Sequence, residues 1–160
     1  MKKLTTKWYM FVLTTALLIV LSTALAEPAA DPVSGKGSSS AINQFQFAGT
    51  VTLVIRGQEK LAELLVTVLA PPKVSDEGVQ HVVATHTFTL ADGSITTSDK
   101  EVAEPTATPG LYTLNANMEV VSGTGVYEGV TGHLTAHGTI DFRAVPAAEF
   151  EIAGVISVAE

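Results

Sequence analysis

From Asn43 onward the chain alternates apolar and polar residues with a period of two, the spacing of a strand that buries one face. In "NQFQFAGTVTLVI" Phe45, Phe47, Val51, Leu53 and Ile55 share a face, and Gln44, Gln46, Thr50 and Thr52 lie opposite. "LLVTVLA" (64–70) is a continuous apolar run stopped by Pro71–Pro72. "HVVATHTFTL" places Val82, Ala84, His86, Phe88 and Leu90 on one face, and Ala91–Asp92–Gly93 then turns tightly into Ser94–Ile95–Thr96–Thr97, a hairpin signal. Leu114, Ala116, Met118 and Val120 form the next apolar row, followed by Leu134, Ala136, Ile140 and Phe142, and finally by Phe150, Ile152, Ile156 and Val158. Seven strands are visible, with longer loops expected at 71–80 and 98–110. Only 58–65 has a helical look. Strands with one apolar face each, in a chain without the Cys–Trp–Cys pattern of an immunoglobulin sandwich, favour an all-β, antiparallel barrel.

The first forty residues do not share this pattern. Lys2, Lys3 and Lys7 flank an apolar run from Trp8 to Leu21, and Ala24–Leu25–Ala26 completes an A-x-A site. That is the layout of a secretory signal peptide cleaved after Ala26, and its apolar run is shorter than the roughly 20 residues of a membrane span. The sequence therefore divides into a signal peptide at 1–26, a flexible leader at 27–40 and a barrel domain at 41–160. The leader, "EPAADPVSGKGSSS", is read as flexible because it has almost no bulky apolar residue with which to offset the entropy of ordering. The expected location is secreted or periplasmic, with no membrane association after cleavage.

Removing the signal leaves six basic against sixteen acidic residues, a net charge of −10. Nucleic acids and anionic surfaces reward a basic patch, so neither is an expected partner. With no cysteine, disulfides and thiolate metal sites are excluded. About 130 residues suffice for a core that holds itself together.

The densest glycine segment is "VVSGTGVYEGVTGHLTAHG" (120–138). It has no Lys and leads into a strand, whereas a phosphate-cradling loop leads into a helix. Its glycines are read as conformational freedom for a tight connection, with Tyr127 pinning that connection to the barrel wall. "FTLADGSITTSD", this segment and "FEIAGVIS" together resemble the allene oxide cyclase barrel-like superfamily, a calycin-like β-barrel group that includes the dirigent proteins. The matching residues are Phe88, Leu90, Asp92, Gly93 and Ile95, then Gly123, Thr124, Gly125, Tyr127, Gly129 and Gly132. Ser122 stands where the family usually has a further glycine. The resemblance covers about the last 70 residues and implies an eight-stranded antiparallel barrel with an apolar cavity, often a dimer or trimer. It also places the eighth strand in 106–111 or in a split first strand.

Family members guide cyclisation or coupling of small apolar molecules in the lumen, largely by holding one conformer. Their acidic catalytic residues lie in the N-terminal half of the domain. That half of this chain has no matching acidic motif, so no catalytic residue carries over. Whether the protein is an enzyme stays open. The reading is a barrel that binds an apolar or aromatic small molecule. Its alternatives are a cyclase, isomerase or dirigent-like coupling guide in the same cavity, and a packed-lumen interaction protein.

His86, on an apolar face, is the best catalytic candidate because imidazole titrates near neutrality; a hydrogen-bonded core histidine or an exposed one are its alternatives. His86, Phe88, Met118, Tyr127 and Arg56 are the expected ligand-binding residues, with Arg143 a second arginine at a strand end. His133 and His137 are about 13 Å apart along one strand, too far to share a metal, and His81 is expected in solvent. No metal or cofactor is expected. Glu119 and Asp141 fall on polar faces, and no two carboxylates are expected to pair on one face, which removes support for a glycosidase-like dyad.

Overall fold

The computed structural model describes residues 29–158; the signal peptide expected at 1–26 lies outside them. Nine strands follow in order: β1 (Asp31–Asn43), β2 (Gln46–Ile55), β3 (Gln58–Val68), β4 (Lys73–Val74), β5 (Gln80–Leu90), β6 (Gly93–Pro105), β7 (Leu111–Gly125), β8 (Thr131–Asp141) and β9 (Ala147–Ser157). They form one antiparallel sheet in the order β3-β2-β1-β9-β8-β7-β6-β5-β4, and β3 also pairs with β5. That last pairing closes an eight-stranded barrel. The two-residue β4 pairs with Gln80 and His81, the stretch of β5 that β3 does not reach.

The seven strands read from the sequence are all present, and the eighth is β1. It is neither at 106–111 nor a split first strand. The segment expected as a flexible leader is instead hydrogen-bonded on both sides, from Val33↔Ile55 to Asn43↔Gln46 on β2 and from Asp31↔Ile156 to Ser40↔Ala147 on β9. Its composition has a steric cause. The inward row of β1 is Val33, Gly35, Gly37, Ser39 and Ala41, the pairing partners of inward residues such as Val51 and Phe150. A Cβ at Gly37 would come within 2.9 Å of the Phe150 ring, so the small residues of β1 make room for bulky chains from its neighbours. The ordering entropy that argued for a leader is offset mainly by two ladders of hydrogen bonds, with Val33 the one bulky side chain that β1 adds to the core.

Two further expectations change. Residues 58–65, with Leu61, Leu64 and Leu65 at helical spacing, form the first part of β3; Ala62 and Leu64 point inward, while Leu61 and Leu65 are exposed. The loop expected at 98–110 begins only after Pro105, because β6 continues on its hairpin register with β5 as far as Gln80↔Ala103.

The core is the lumen. Phe88, Leu53, Ile95, Met118, Leu134, Ile156 and Val51 are fully buried along its length. One end carries the short turns and is shut by Tyr127, which packs with Val130 and Leu90 under the β7–β8 connection. Positive φ at Gly125 (63°) and Gly129 (74°) lets that connection fold back, so the glycine segment is scaffold here. Lys60 completes this end, with its Nζ 5.6 Å from the Tyr127 ring centroid and paired to Asp92; the Asp92 hydrogen bond holds the lysine pKa above its ordinary value. The opposite end is formed by the longer loops at 69–79, 106–110 and 142–146.

Candidate functional site at the loop end of the barrel

Strand alternation carries polar side chains into the lumen at one place. β5 turns His86 inward between Ala84 and Phe88, and β6 turns Thr97, Asp99 and Glu101 inward from across the ladder. His86 pairs with Thr97 in register, which sets Asp99 on its diagonal. The His86 Nδ1 and Asp99 Oδ2 are 2.7 Å apart, and Nδ1 is 3.8 Å from Glu101 Oε1. The side chains of His86 and Glu101 are each 11% exposed and that of Asp99 is 0% exposed. Asp99 Oδ1 and Glu101 Oε1 have no hydrogen-bond partner. Burial pushes the Glu101 carboxyl pKa up and the neighbouring Asp99 charge adds to this, with His86 acting against both. The Phe88 ring stacks on the imidazole at 6.0 Å and 18°, fixing its orientation from the closed side.

On the loop side of this cluster the packing relaxes into a pocket of about 50 Å³. Phe47, Val66, Val68, Leu114, Ile140 and Phe150 form its apolar wall, while His86, Glu101 and Ser39 supply the polar atoms. A water needs roughly 10–15 Å³ of such space, and enclosing a drug-sized molecule takes hundreds. The pocket therefore admits a few waters or the tip of a molecule. Wide lumenal space of the kind implied by the family resemblance is not what this lumen contains, because large side chains occupy it.

The residues expected to bind a ligand together are separated. His86 alone lines the loop-end pocket. Phe88 and Met118 are fully buried core. Tyr127 and Arg56 sit at the opposite end, where both line a second depression with Lys60 and Asp92. Arg56 lies just beyond β2 and pairs with Asp31 at 2.6 Å. Asp99 and Glu101, the functional candidates that sequence reasoning missed, are two carboxylates on one face. Their signal was present as the i, i+2 spacing Ile95–Thr97–Asp99–Glu101–Ala103, but polar residues in inward positions defeat a search for apolar periodicity.

The remaining polar candidates lie on the outer face. His133 and His137 are exposed, and His137 Nδ1 meets Asn115 Oδ1 at 2.6 Å. His81 is exposed, and so is Glu119. Arg143 donates through Nε and Nη2 to the Asp141 carboxylate at 2.9 and 2.6 Å, which lowers the Asp141 pKa to about 2. Arg143→Gln is expected to return that pKa towards 3.8 in a carboxylate-detected NMR titration. The sign follows from the depressed folded-state value: the ion pair adds stability above the unfolded pKa, and that contribution fades as the pH falls from 3.8 towards about 2. Both groups are solvent-exposed, so the stability change is small.

No family model and no curated protein matches the sequence. Two solved structures, both pterocarpan synthase dirigent proteins, are similar to it in overall outline. GePTS1 shares 12% identity at a TM-score of 0.43, with 83% of this chain and 93% of that chain covered. PsPTS1 shares 14% identity at a TM-score of 0.41, with 84% and 98% covered. The closed eight-stranded barrel rests on this chain's own strand pairing, and dirigent proteins are what that barrel is similar to.

Proposed function

We propose that the protein is an exported barrel that binds a small molecule by one end, in the loop-end pocket. One observation carries this reading: the relaxation of the packing beside His86 joins an apolar wall to a buried polar floor that retains unpartnered carboxylate oxygens. An apolar or aromatic tip would pack against Phe47, Leu114 and Phe150. A donor group on that tip would satisfy Glu101, since leaving a buried acceptor unmade costs about 1–3 kcal/mol. The outward rows favour an aqueous setting: β1, β2 and β9 present Lys36, Ser38, Thr50, Thr52, Glu149 and Glu151 outward, the reverse of a lipid-facing barrel. The enzyme alternative uses the same pocket, with His86 held by Asp99 as the proton carrier.

A second reading is favoured by a different observation. Leu61, Leu65, Leu69 and Val83 are exposed along the outer side of β3, its continuation and β5, and the filled middle of the lumen suits a packed barrel acting through its surface. Native mass spectrometry of residues 27–160 after incubation with a host metabolite extract separates the two. A reproducible small-molecule adduct, lost in Phe47→Trp, supports the pocket. A protein that stays free of small molecules at every extract concentration supports the surface.

A further inference from the structure

The loop-end cluster has more acidic than basic capacity. Two carboxylates and one imidazole place their ligand atoms within 4.8 Å of one another. With both acids ionised, a single imidazole could balance at most one of them, and an uncompensated charge in a buried setting is strongly disfavoured. Asp99 is the informative member: its side chain is wholly buried, one oxygen engages His86 and the other has no partner. Glu101 repeats the pattern with an unpartnered Oε1 facing the imidazole.

We propose that His86, Asp99 and Glu101 form a site for a divalent first-row transition ion such as Zn²⁺ or Mn²⁺. One imidazole with two carboxylates is a mixed nitrogen and oxygen donor set. It suits these ions better than Mg²⁺ or Ca²⁺, which take oxygen ligands almost exclusively. Three protein ligands leave a coordination position open, and the adjacent 50 Å³ pocket provides space for a water or an entering donor atom there. The rigid supports are in place, because Asp99 and Glu101 alternate on one strand and Phe88 stacks on the His86 ring. An ion held among the three would give both orphaned carboxylates a partner. The expectation of no metal was drawn from the separated His133 and His137, a different set of residues. The site is the floor of the pocket described above but stands on the cluster alone, so a titration without any organic molecule tests it separately.

The experiment is isothermal titration of ZnCl₂ into chelator-treated protein spanning 27–160 at neutral pH, with MgCl₂ as comparison. One equivalent of Zn²⁺ is expected, weakened at least about tenfold in Asp99→Asn and in Glu101→Gln and unchanged in His137→Gln. Absence of saturable Zn²⁺ binding overturns the proposal. So does binding that survives Glu101→Gln and disappears in His137→Gln, which would be adventitious capture by the outer face. Circular dichroism verifies the fold of each variant. Should a carboxamide variant not fold, Mn²⁺ line broadening in the unaltered protein decides. Broadening confined to amides around His86 and Glu101 supports the site, and broadening confined to the surroundings of His133 and His137 overturns it.

Discussion

A chain that begins at Ala41 is expected to have no cooperative fold, whereas one that begins at Glu27 melts in a single transition. The shorter chain lacks ten of the thirteen residues of β1. With them go the pairings from Val33↔Ile55 to Ser40↔Ala48 on β2 and the whole ladder with β9. The barrel would then be open between two long strands, and unpaired edges of that kind invite aggregation. A domain is stable by only about 5–15 kcal/mol, so the loss of one of eight staves is not absorbed. Urea denaturation followed by far-UV circular dichroism measures this directly. Equal midpoints for the two chains would show that β1 is dispensable and that the first reading of 27–40 as a flexible leader was correct.

Phe88→Ala is expected to lower stability by about 3–5 kcal/mol, the range for removing a buried aromatic from a core that cannot collapse around the gap. Phe88 is 0% exposed and lies between the plugged end of the lumen and the imidazole it stacks on. The same substitution removes the support of His86, so the ring should become more mobile even in the fraction that remains folded. Phe142→Ala is the contrast, because Phe142 is 37% exposed and meets Tyr112 in a T-shaped contact outside the core; its expected cost is about 1 kcal/mol or less. Denaturant midpoints of the two variants, compared at equal m-values, measure the difference. A Phe88→Ala loss no larger than that of Phe142→Ala would mean that the lumen is not the packed core described here.

The parts of this barrel that were legible in the sequence are those whose inward rows are apolar. Val51–Leu53–Ile55, Ala84–Phe88–Leu90 and Leu134–Ala136–Ile140 announce their strands by period two. The Asp92–Gly93 turn announces the hairpin between β5 and β6. What was not legible has two physical causes. In β1 the inward row after Val33 is small (Gly35, Gly37, Ser39 and Ala41), because its neighbours fill the space, so the strand has the composition of a linker. In β6 the inward row turns acidic after Thr97, so the strand looks like an acidic loop.

The second cause hid the candidate site. His86 was visible because its neighbours on β5 are apolar, while Asp99 and Glu101 became its partners only once the β5–β6 register was known. Conversely, Met118 and Phe88 carried no sign that they are packing residues, since an inward apolar side chain reads the same whether the lumen is filled or empty. Arg56 and Tyr127, expected to bind a ligand together with His86, lie beside each other at the end of the barrel away from it.

On the proposed function, a small molecule enters this barrel at the loop end and goes no further than the His86–Asp99–Glu101 floor. Methyl-labelled NMR during titration with the molecule captured from the extract tests it most directly. Shifts are expected at Val66, Val68, Leu114 and Ile140, which line the pocket, with Leu53, Ile95, Leu134 and Ile156 of the filled lumen unmoved. Shifts confined to Ile55, Val126 and Val158 at the Tyr127 end, or to Leu61, Leu65 and Val83 on the outer face, would contradict it.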